Sequence, residues 1–184
     1  MEYTSTRPEG WDDVDAGPVP LRLHRATVRP EWVDYNGHMS ESCYLLVMGD
    51  SSDAFFRYIG IDEGYRASGG SLFTAETHIR NLREASAGDE LALALRVLGV
   101  DEKRVHLTHE ITDAEGDLVA TGEQLLLHVD TAAARVSPLP GTLRARLDQI
   151  VGAHATLPRP EWVGHVMGIP GQAGSEGAGV SRGL

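Results

Sequence analysis

Cysteine and lysine are almost absent from this 184-residue chain, in which Cys43 is the only cysteine and Lys103 the only lysine. A single cysteine excludes an intrachain disulfide, so a reducing compartment, and therefore the cytoplasm, is the simplest setting. Cys43 lies in an apolar run, where a free cysteine usually behaves as a small buried hydrophobe. No stretch is long and apolar enough to span a bilayer, and the acidic start does not resemble a signal peptide.

Positive charge is also scarce, with 16 basic against 27 acidic residues and a net charge of −11. Such a surface argues against nucleic acid and anionic membranes as partners, although a local arginine cluster can still bind an anionic ligand. The chain has no Gly-rich phosphate loop, dinucleotide fingerprint or serine elbow. His106 and His109 are three residues apart on a predicted strand and face opposite sides, so we expect neither a metal site nor a cofactor.

The order of elements predicts an α+β fold. Residues 21–29 alternate as a strand, and residues 40–59 show the helical spacing of a strongly apolar helix that ends at Gly60. Four strands are predicted at 71–82, 90–100, 104–112 and 118–129, joined by short turns as an antiparallel meander, with 61–70 as a loop. A further helix is expected within 137–152. We therefore predict one domain at 21–169, in which a sheet wraps one long buried helix, between loose tails at 1–20 and 170–184.

The turn at residues 33–39, Val-Asp-Tyr-Asn-Gly-His-Met, comes directly before the apolar helix. It places the carboxylate of Asp34 where a helix N-terminus offers free N–H groups and a positive dipole end. Such a turn can polarise a carbonyl group and bring a carboxylate to it. The chemistry of an enzyme is expected here.

The turn resembles that of the hotdog-fold acyl-CoA thioesterases of the 4-hydroxybenzoyl-CoA thioesterase type, which carry D-x-x-G-H-[VM]-x-x-x-x-Y. Asp34, Gly37, His38, Met39 and Tyr44 match this motif at the same spacing. The chain departs from it in two places, with Trp32 where many members have a second Asp and Ser40-Glu41 where they have Asn-Asn. Together with 77–82 and 101–107, segment 30–39 resembles the betainyl-CoA thioesterases, which occur alone or fused to carnitine dehydrogenase.

The resemblance implies hydrolysis of a small acyl-CoA thioester, with betainyl-CoA as a candidate substrate. Asp34 would attack the carbonyl carbon, giving a mixed anhydride, or would activate a water molecule. Backbone N–H groups from Met39 through Ser40 to Glu41 would bind the oxyanion. Gly37 would allow close backbone approach. His38 is expected to orient the turn or to hydrogen-bond Asp34, in preference to transferring a proton.

Substrate-binding residues follow from the chemistry of a betainyl-CoA substrate. A quaternary ammonium group prefers aromatic faces with an acid nearby, and Glu41 or Asp50 could supply that acid. CoA is anionic, and basic side chains near the strand ends could bind its phosphates or could form an ordinary solvated surface. The candidates from the turn, the helix and the strand ends are Trp32, Tyr35, Asn36, Tyr44, Arg80, Arg83, Lys103 and Arg104.

Three alternatives remain open. A hotdog hydratase or dehydratase has its Asp and His one residue further apart than Asp34 and His38. A second class of thioesterase places the carboxylate on the helix, which would favour Glu41 or Asp50. A non-catalytic acyl-CoA-binding hotdog protein would use the turn for packing alone. For each of them, relatives pair their sheets with sites between subunits, so we expect a homodimer or a homotetramer.

Overall fold

A computed structural model describes residues 17–168 of the chain. The expectations for 1–16 and for the C-terminal tail at 170–184 lie outside the described residues. The strands are β1 Leu21–Thr27, β2 Gly70–Asn81, β3 Glu90–Val100, β4 Arg104–Thr112, β5 Leu118–Asp130 and β6 Arg135–Val136. The helices are α1 Glu41–Ile59, α2 Glu63–Ala67 and α3 Gly141–His154.

The predicted long helix and the five main strands are present with nearly the expected bounds, and the C-terminal helix begins later than expected, at Gly141. The predicted loop at 61–70 is wrong in part, because it contains α2. Asp62 accounts for this helix, since its side chain accepts the backbone N–H of Tyr65 and so caps the first turn. A 3-10 turn at Pro30–Trp32 and the short β6 were not predicted.

All strand pairs in the sheet are antiparallel, in the order β1-β3-β4-β5-β2, with β6 beside β5. The meander prediction holds for β3 to β5 but is wrong for β2, which pairs with β5. The connection at 82–89 explains the difference, because it crosses the molecule instead of forming a hairpin. Its start is bound to β5, where Val119 O accepts the N–H of Leu82 and Arg83, and its end is bound to Val28 beyond β1.

Helix α1 lies in the curve of this sheet. Tyr44, Val47, Met48, Phe55 and Ile59 lie on its buried side, and Gly60 ends the helix in the left-handed conformation at φ 96°. This arrangement confirms the α+β hotdog architecture with an added C-terminal helix, α3. Residues 17–168 do not cover α1 completely, since exposed Leu45 and Leu46 form an apolar outer stripe.

The core has two parts, one at each end of α1. One part contains Phe55, Leu95 and Leu107 and extends under α3. The other contains Met39 and Tyr44, and the Asp34 turn lies against it. The β3–β4 turn follows Val100, which packs on the first part. The predicted substrate residues near the Asp34 turn and those of the β3–β4 turn, Lys103 and Arg104, therefore lie at opposite ends of the sheet.

Candidate active site

The turn that carries Asp34 is a closed loop of backbone hydrogen bonds. Asp34 N–H donates to His38 O at 2.9 Å, and Gly37 N–H donates to Asp34 O at 3.0 Å. Gly37 has φ 86°, a conformation in which glycine avoids the steric cost of a Cβ. Asp34 Oδ1 accepts the N–H of Asn36 at 2.7 Å. One carboxylate oxygen is thereby fixed, and Oδ2 has no protein partner within residues 17–168.

At the start of α1, only some of the backbone N–H groups predicted to bind the oxyanion are free. Met39 N–H donates to Ala85 O at 2.7 Å and Ser40 N–H donates to Trp32 O at 2.8 Å, so both N–H groups are already used. Ser40 is the N-cap, and its side chain makes no capping hydrogen bond. In the described part of the chain, the N–H groups of Glu41 and Ser42 have no acceptor. These two groups, at the positive end of the α1 dipole, are the available donors.

The segment after β2 forms the wall opposite the turn, and sequence reasoning missed most of it. Tyr44 Oη donates to Arg83 O at 3.5 Å. Glu84 Oε2 lies 3.2 Å from His38 Nε2. Ala85 O binds Met39 N–H, as described above. The side chain of His38 therefore contacts Glu84, while its backbone carbonyl accepts the N–H of Asp34.

Between the turn, the start of α1 and this wall lies a cavity of about 620 Å³. It brings together seven of the predicted residues and adds three from the end of β2 and the segment after it. Its lining consists of Asp34, Asn36, His38, Met39, Glu41, Tyr44, Asn81, Leu82, Arg83 and Glu84.

The cavity is acidic. Asp34, Glu41 and Glu84 contribute three carboxylates, whereas the guanidinium of Arg83 is paired with Asp117. Tyr44 forms a buried part of the wall, and burial raises the pKa of its phenol, so it stays neutral at pH 7. A cationic or neutral group therefore fits this cavity better than an anionic one.

Two predicted aromatic residues lie outside the lining. Trp32 is half-buried, and the guanidinium carbon of Arg29 lies 5.2 Å from its ring centroid, so a cation of the chain itself already occupies one face. Tyr35, at the tip of the turn, is 96% exposed. Neither residue forms a cage with Tyr44 within one chain.

Three of the four predicted basic residues also lie away from the cavity. Arg80 lies on β2 opposite Thr121 of β5, and it is not among the residues that line the cavity. Lys103 and Arg104 follow β3 at the other end of the sheet, and the Arg104 guanidinium holds the pKa of Asp101 down to about 2, together with the backbone N–H of Lys103. Arg83 is the one predicted cation that the fold places at the cavity.

A separate polar cluster lies inside the core. Ser52 Oγ lies 3.2 Å from His109 Nε2 and donates to Gln124 Oε1 at 3.0 Å. Complete burial lowers the pKa of His109 to about 4, so its imidazole is neutral at pH 7. This cluster does not line the cavity, and it joins α1 to β4 and β5.

Comparison with known proteins shows which family the chain belongs to. A family model described as the thioesterase-like superfamily matches residues 28–147. The chain is 50% identical over 145 residues to an L-carnitine dehydrogenase/betainyl-CoA thioesterase of Agrobacterium fabrum, which covers 79% of this chain and 30% of that protein. The chain thus spans under a third of the length of that relative.

A shorter relative is similar over nearly its whole length. The betainyl-CoA thioesterase of Pseudomonas aeruginosa is 42% identical over 152 residues, which covers 82% of this chain and 96% of that protein. Among solved structures, a Staphylococcus aureus protein determined in complex with CoA superposes with a TM-score of 0.77. It is 28% identical, and the match covers 83% of this chain and 98% of that one.

Proposed function

Because the chain belongs to the thioesterase-like superfamily, we propose that it hydrolyses an acyl-CoA thioester to the free acid and CoA, with betainyl-CoA as its substrate. The observation that carries the proposal is the position of Asp34. Its free Oδ2 belongs to a turn that is closed by Gly37 and followed directly by the free N–H groups of α1. A carboxylate and an oxyanion site are the two requirements of thioester hydrolysis.

Asp34 acts on the thioester carbonyl carbon. It attacks that carbon to give a mixed anhydride, which water then opens, or it takes a proton from the water that attacks. The oxyanion formed in either route accepts hydrogen bonds from the N–H groups of Glu41 and Ser42. The loss of one such donor typically costs about 10²–10³ in rate.

The charge of the cavity supports a cationic acyl group. In a betainyl thioester the quaternary nitrogen is two bonds from the carbonyl carbon, so its counter-charge must lie near the oxyanion site. Glu41 is the first residue of α1 and has no ion pair within residues 17–168. Asp50 is nine residues further along the same helix, roughly 13 Å away at the helical rise. Glu41, and not Asp50, is therefore the carboxylate that recognises the cation.

The test compares betainyl-CoA with 3,3-dimethylbutyryl-CoA, in which a carbon atom replaces the quaternary nitrogen. Release of free CoA, followed with a thiol reagent, distinguishes hydrolysis from hydration and from simple binding, neither of which releases a thiol. Benzoyl-CoA extends the panel to a bulky neutral acyl group. We expect the wild-type protein to release CoA fastest from betainyl-CoA. Release from none of the three thioesters would contradict the proposed function.

Substitution Glu41→Gln then tests the cation site. The backbone N–H remains, so turnover of the neutral isostere should change little. The preference for betainyl-CoA, as a ratio of kcat/KM values, should fall about fivefold to 30-fold, equivalent to about 1–2 kcal/mol for a partly desolvated charge pair. Glu102→Gln, an exposed carboxylate at the far end of the sheet, is the matched control. An unchanged ratio in Glu41→Gln would show that the cation is recognised elsewhere.

A second copy of the chain completes the proposed enzyme. Strand β2 is at the edge of the sheet, and its middle residues 73–77 are all exposed, with Phe73 56% exposed. An exposed strand edge of this length is a surface on which another strand can pair. We therefore infer a homodimer through β2, or a homotetramer built from two such dimers, in which the partner covers the open side of the cavity.

The setting proposed for this enzyme is the cytoplasm, since the chain has one cysteine and the relatives act on CoA thioesters by name. Among the described helices, none has the length and apolar character that crossing a bilayer requires.

A further inference from the structure

We propose that Glu84 is the positioning residue of this active site and that it acts through His38. The inference rests on the proposed thioesterase function and adds a residue that the motif of the turn does not include. Glu84 comes from the segment between β2 and β3, about 50 positions after the turn in sequence, and its Oε2 lies 3.2 Å from His38 Nε2. Both residues line the cavity that contains Asp34.

The backbone fixes the two partners relative to each other. Ala85 O accepts the N–H of Met39 at 2.7 Å, so the residues that follow Glu84 and His38 are joined directly. Tyr44 Oη reaches Arg83 O on the other side of Glu84. The contact between His38 and Glu84 therefore belongs to a small set of bonds between the turn and the wall.

The contact determines which ring nitrogen of His38 can serve the reaction. A carboxylate at Nε2 favours a proton on that nitrogen, which leaves Nδ1 as the atom that gains and loses a proton. Within residues 17–168, Nδ1 of His38 has no hydrogen-bond partner. Glu84 thus holds the ring with one nitrogen bound and the other free in the cavity, as a carboxylate does for a catalytic imidazole in other hydrolases.

This ring can supply the proton that the leaving sulfur needs. When the C–S bond breaks, its electron pair goes to sulfur, and the protonated Nδ1 of His38 donates a proton to the resulting thiolate. If Asp34 has attacked, the water that opens the anhydride returns a proton to Nδ1. If Asp34 has activated the water, Asp34 carries that proton and returns it to His38 through solvent. Both routes consume one water molecule and leave the enzyme unchanged.

The pair is too exposed to contribute much to folding stability. The side chains of His38 and Glu84 are 38% and 74% exposed, and ion pairs this open typically contribute little to folding stability. The other cation in the wall, Arg83, is paired with Asp117 and not with Glu84. In the described part of the chain, His38 is the only ion-pair partner of Glu84.

The experiment is a double-mutant cycle on the full-length protein with Glu84→Gln, His38→Ala and the double variant. Both betainyl-CoA and 3,3-dimethylbutyryl-CoA are used. We expect Glu84→Gln to lower kcat about 10-fold to 100-fold on both substrates, within the range of general acid–base contributions, while KM changes less than twofold. In the His38→Ala background, Glu84→Gln should cost less than a further twofold, because its effect passes through His38.

The controls separate this inference from the proposed function. Glu84→Asp keeps the charge and should recover part of the lost kcat, and melting temperatures should match the wild type in all variants. Equal losses from Glu84→Gln with and without His38 would overturn the inference, as would a loss confined to betainyl-CoA, which would make Glu84 a cation-binding residue. If Glu84→Gln lowers the melting temperature, its loss of kcat does not count, and the kcat of Glu84→Asp becomes the test of the inference. A wild-type protein that hydrolyses neither substrate would overturn the function itself.

Discussion

At the scale of single residues, one hydrogen bond determines how Asp34 can act. Asn36 N–H binds Oδ1, so the carboxylate cannot rotate freely, and Oδ2 is the oxygen that meets the substrate in the proposed mechanism. The Asp-x-Asn sequence makes this local turn by itself, since Asp side chains often bind the N–H two residues on. The catalytic role proposed for Asp34 depends on the position of that turn beside the start of α1.

Substitution Asp34→Asn isolates this chemistry. The amide oxygen can still accept the N–H of Asn36, so the turn should fold, but an amide is neither a nucleophile nor a base at pH 7. We expect kcat for CoA release to fall by at least about 10³-fold with an unchanged melting temperature.

A matched control is Asp130→Asn. Asp130 Oδ1 accepts the N–H of Ala132 and Ala133 in a similar turn after β5, outside the cavity lining. This variant should keep wild-type turnover. Near-normal activity in Asp34→Asn would contradict the assignment of Asp34 as the catalytic carboxylate. It would favour the class of thioesterase with its carboxylate on the helix.

At the scale of elements, the side chain of Met48 on α1 packs directly against Gly122 of β5. A Cβ built on Gly122 would lie 2.5 Å from Met48 Sδ. Met48 is fully buried, so its side chain has little room to move away. A side chain at position 122 would therefore have to displace Met48.

We expect Gly122→Ala to lower the free energy of unfolding by about 1–3 kcal/mol, because it overpacks the contact between α1 and β5. Urea denaturation measures this change. Gly99→Ala on β3, where a Cβ would have no neighbour within 4 Å, is the control and should be neutral or stabilising by up to about 1 kcal/mol. Equal stability of the two variants would show that Met48 adapts to the added methyl group.

The pentapeptide Arg-Pro-Glu-Trp-Val occurs twice, at 29–33 and 159–163, and its two copies have the same local structure. Both copies form a turn that begins at proline, in which the N–H of Val33 or Val163 donates to the proline carbonyl at 3.2 Å. Their surroundings differ completely. Trp32 packs near Arg29 beside the Asp34 turn, whereas Trp162 Nε1 donates to Thr108 Oγ1 of β4 at 3.1 Å.

At the scale of the whole molecule, β2 forms one edge of the sheet, and residues 17–168 leave one side of the cavity open. Leu45 and Leu46 on α1 are exposed near the same end. Apolar surface on a helix and an unpaired strand edge both favour association with a second copy.

Light scattering coupled to gel filtration should therefore give at least twice the mass of one chain. Phe73→Lys places a charge on the edge strand and should shift the protein towards the monomer and lower turnover, since the cavity would lose its second wall. Val136→Lys, at another exposed apolar position on β6, should leave the mass unchanged. A monomeric wild-type protein with full activity would contradict the dimer.

Sequence periodicity was sufficient for α1 and for the strand bounds, because apolar spacing and turn residues act locally. It was not sufficient for the place of β2, since the connection at 82–89 is bound to Val119 at one end and Val28 at the other, and neither partner is near in sequence. Non-local pairing of this kind has no local signal.

The amino-acid sequence by itself determined the Asp34 turn, the helix that follows it and the family, because all three depend on short-range spacing. Only the tertiary structure decided that Met39 and Ser40 N–H are occupied, that Lys103 and Arg104 lie at the opposite end of the sheet, and that Glu84 faces His38. The physical reason is that a crossing strand connection brings Arg83, Glu84 and Ala85 against the turn. Hydrogen bonds between segments so distant in sequence exist only once the sheet has closed around α1.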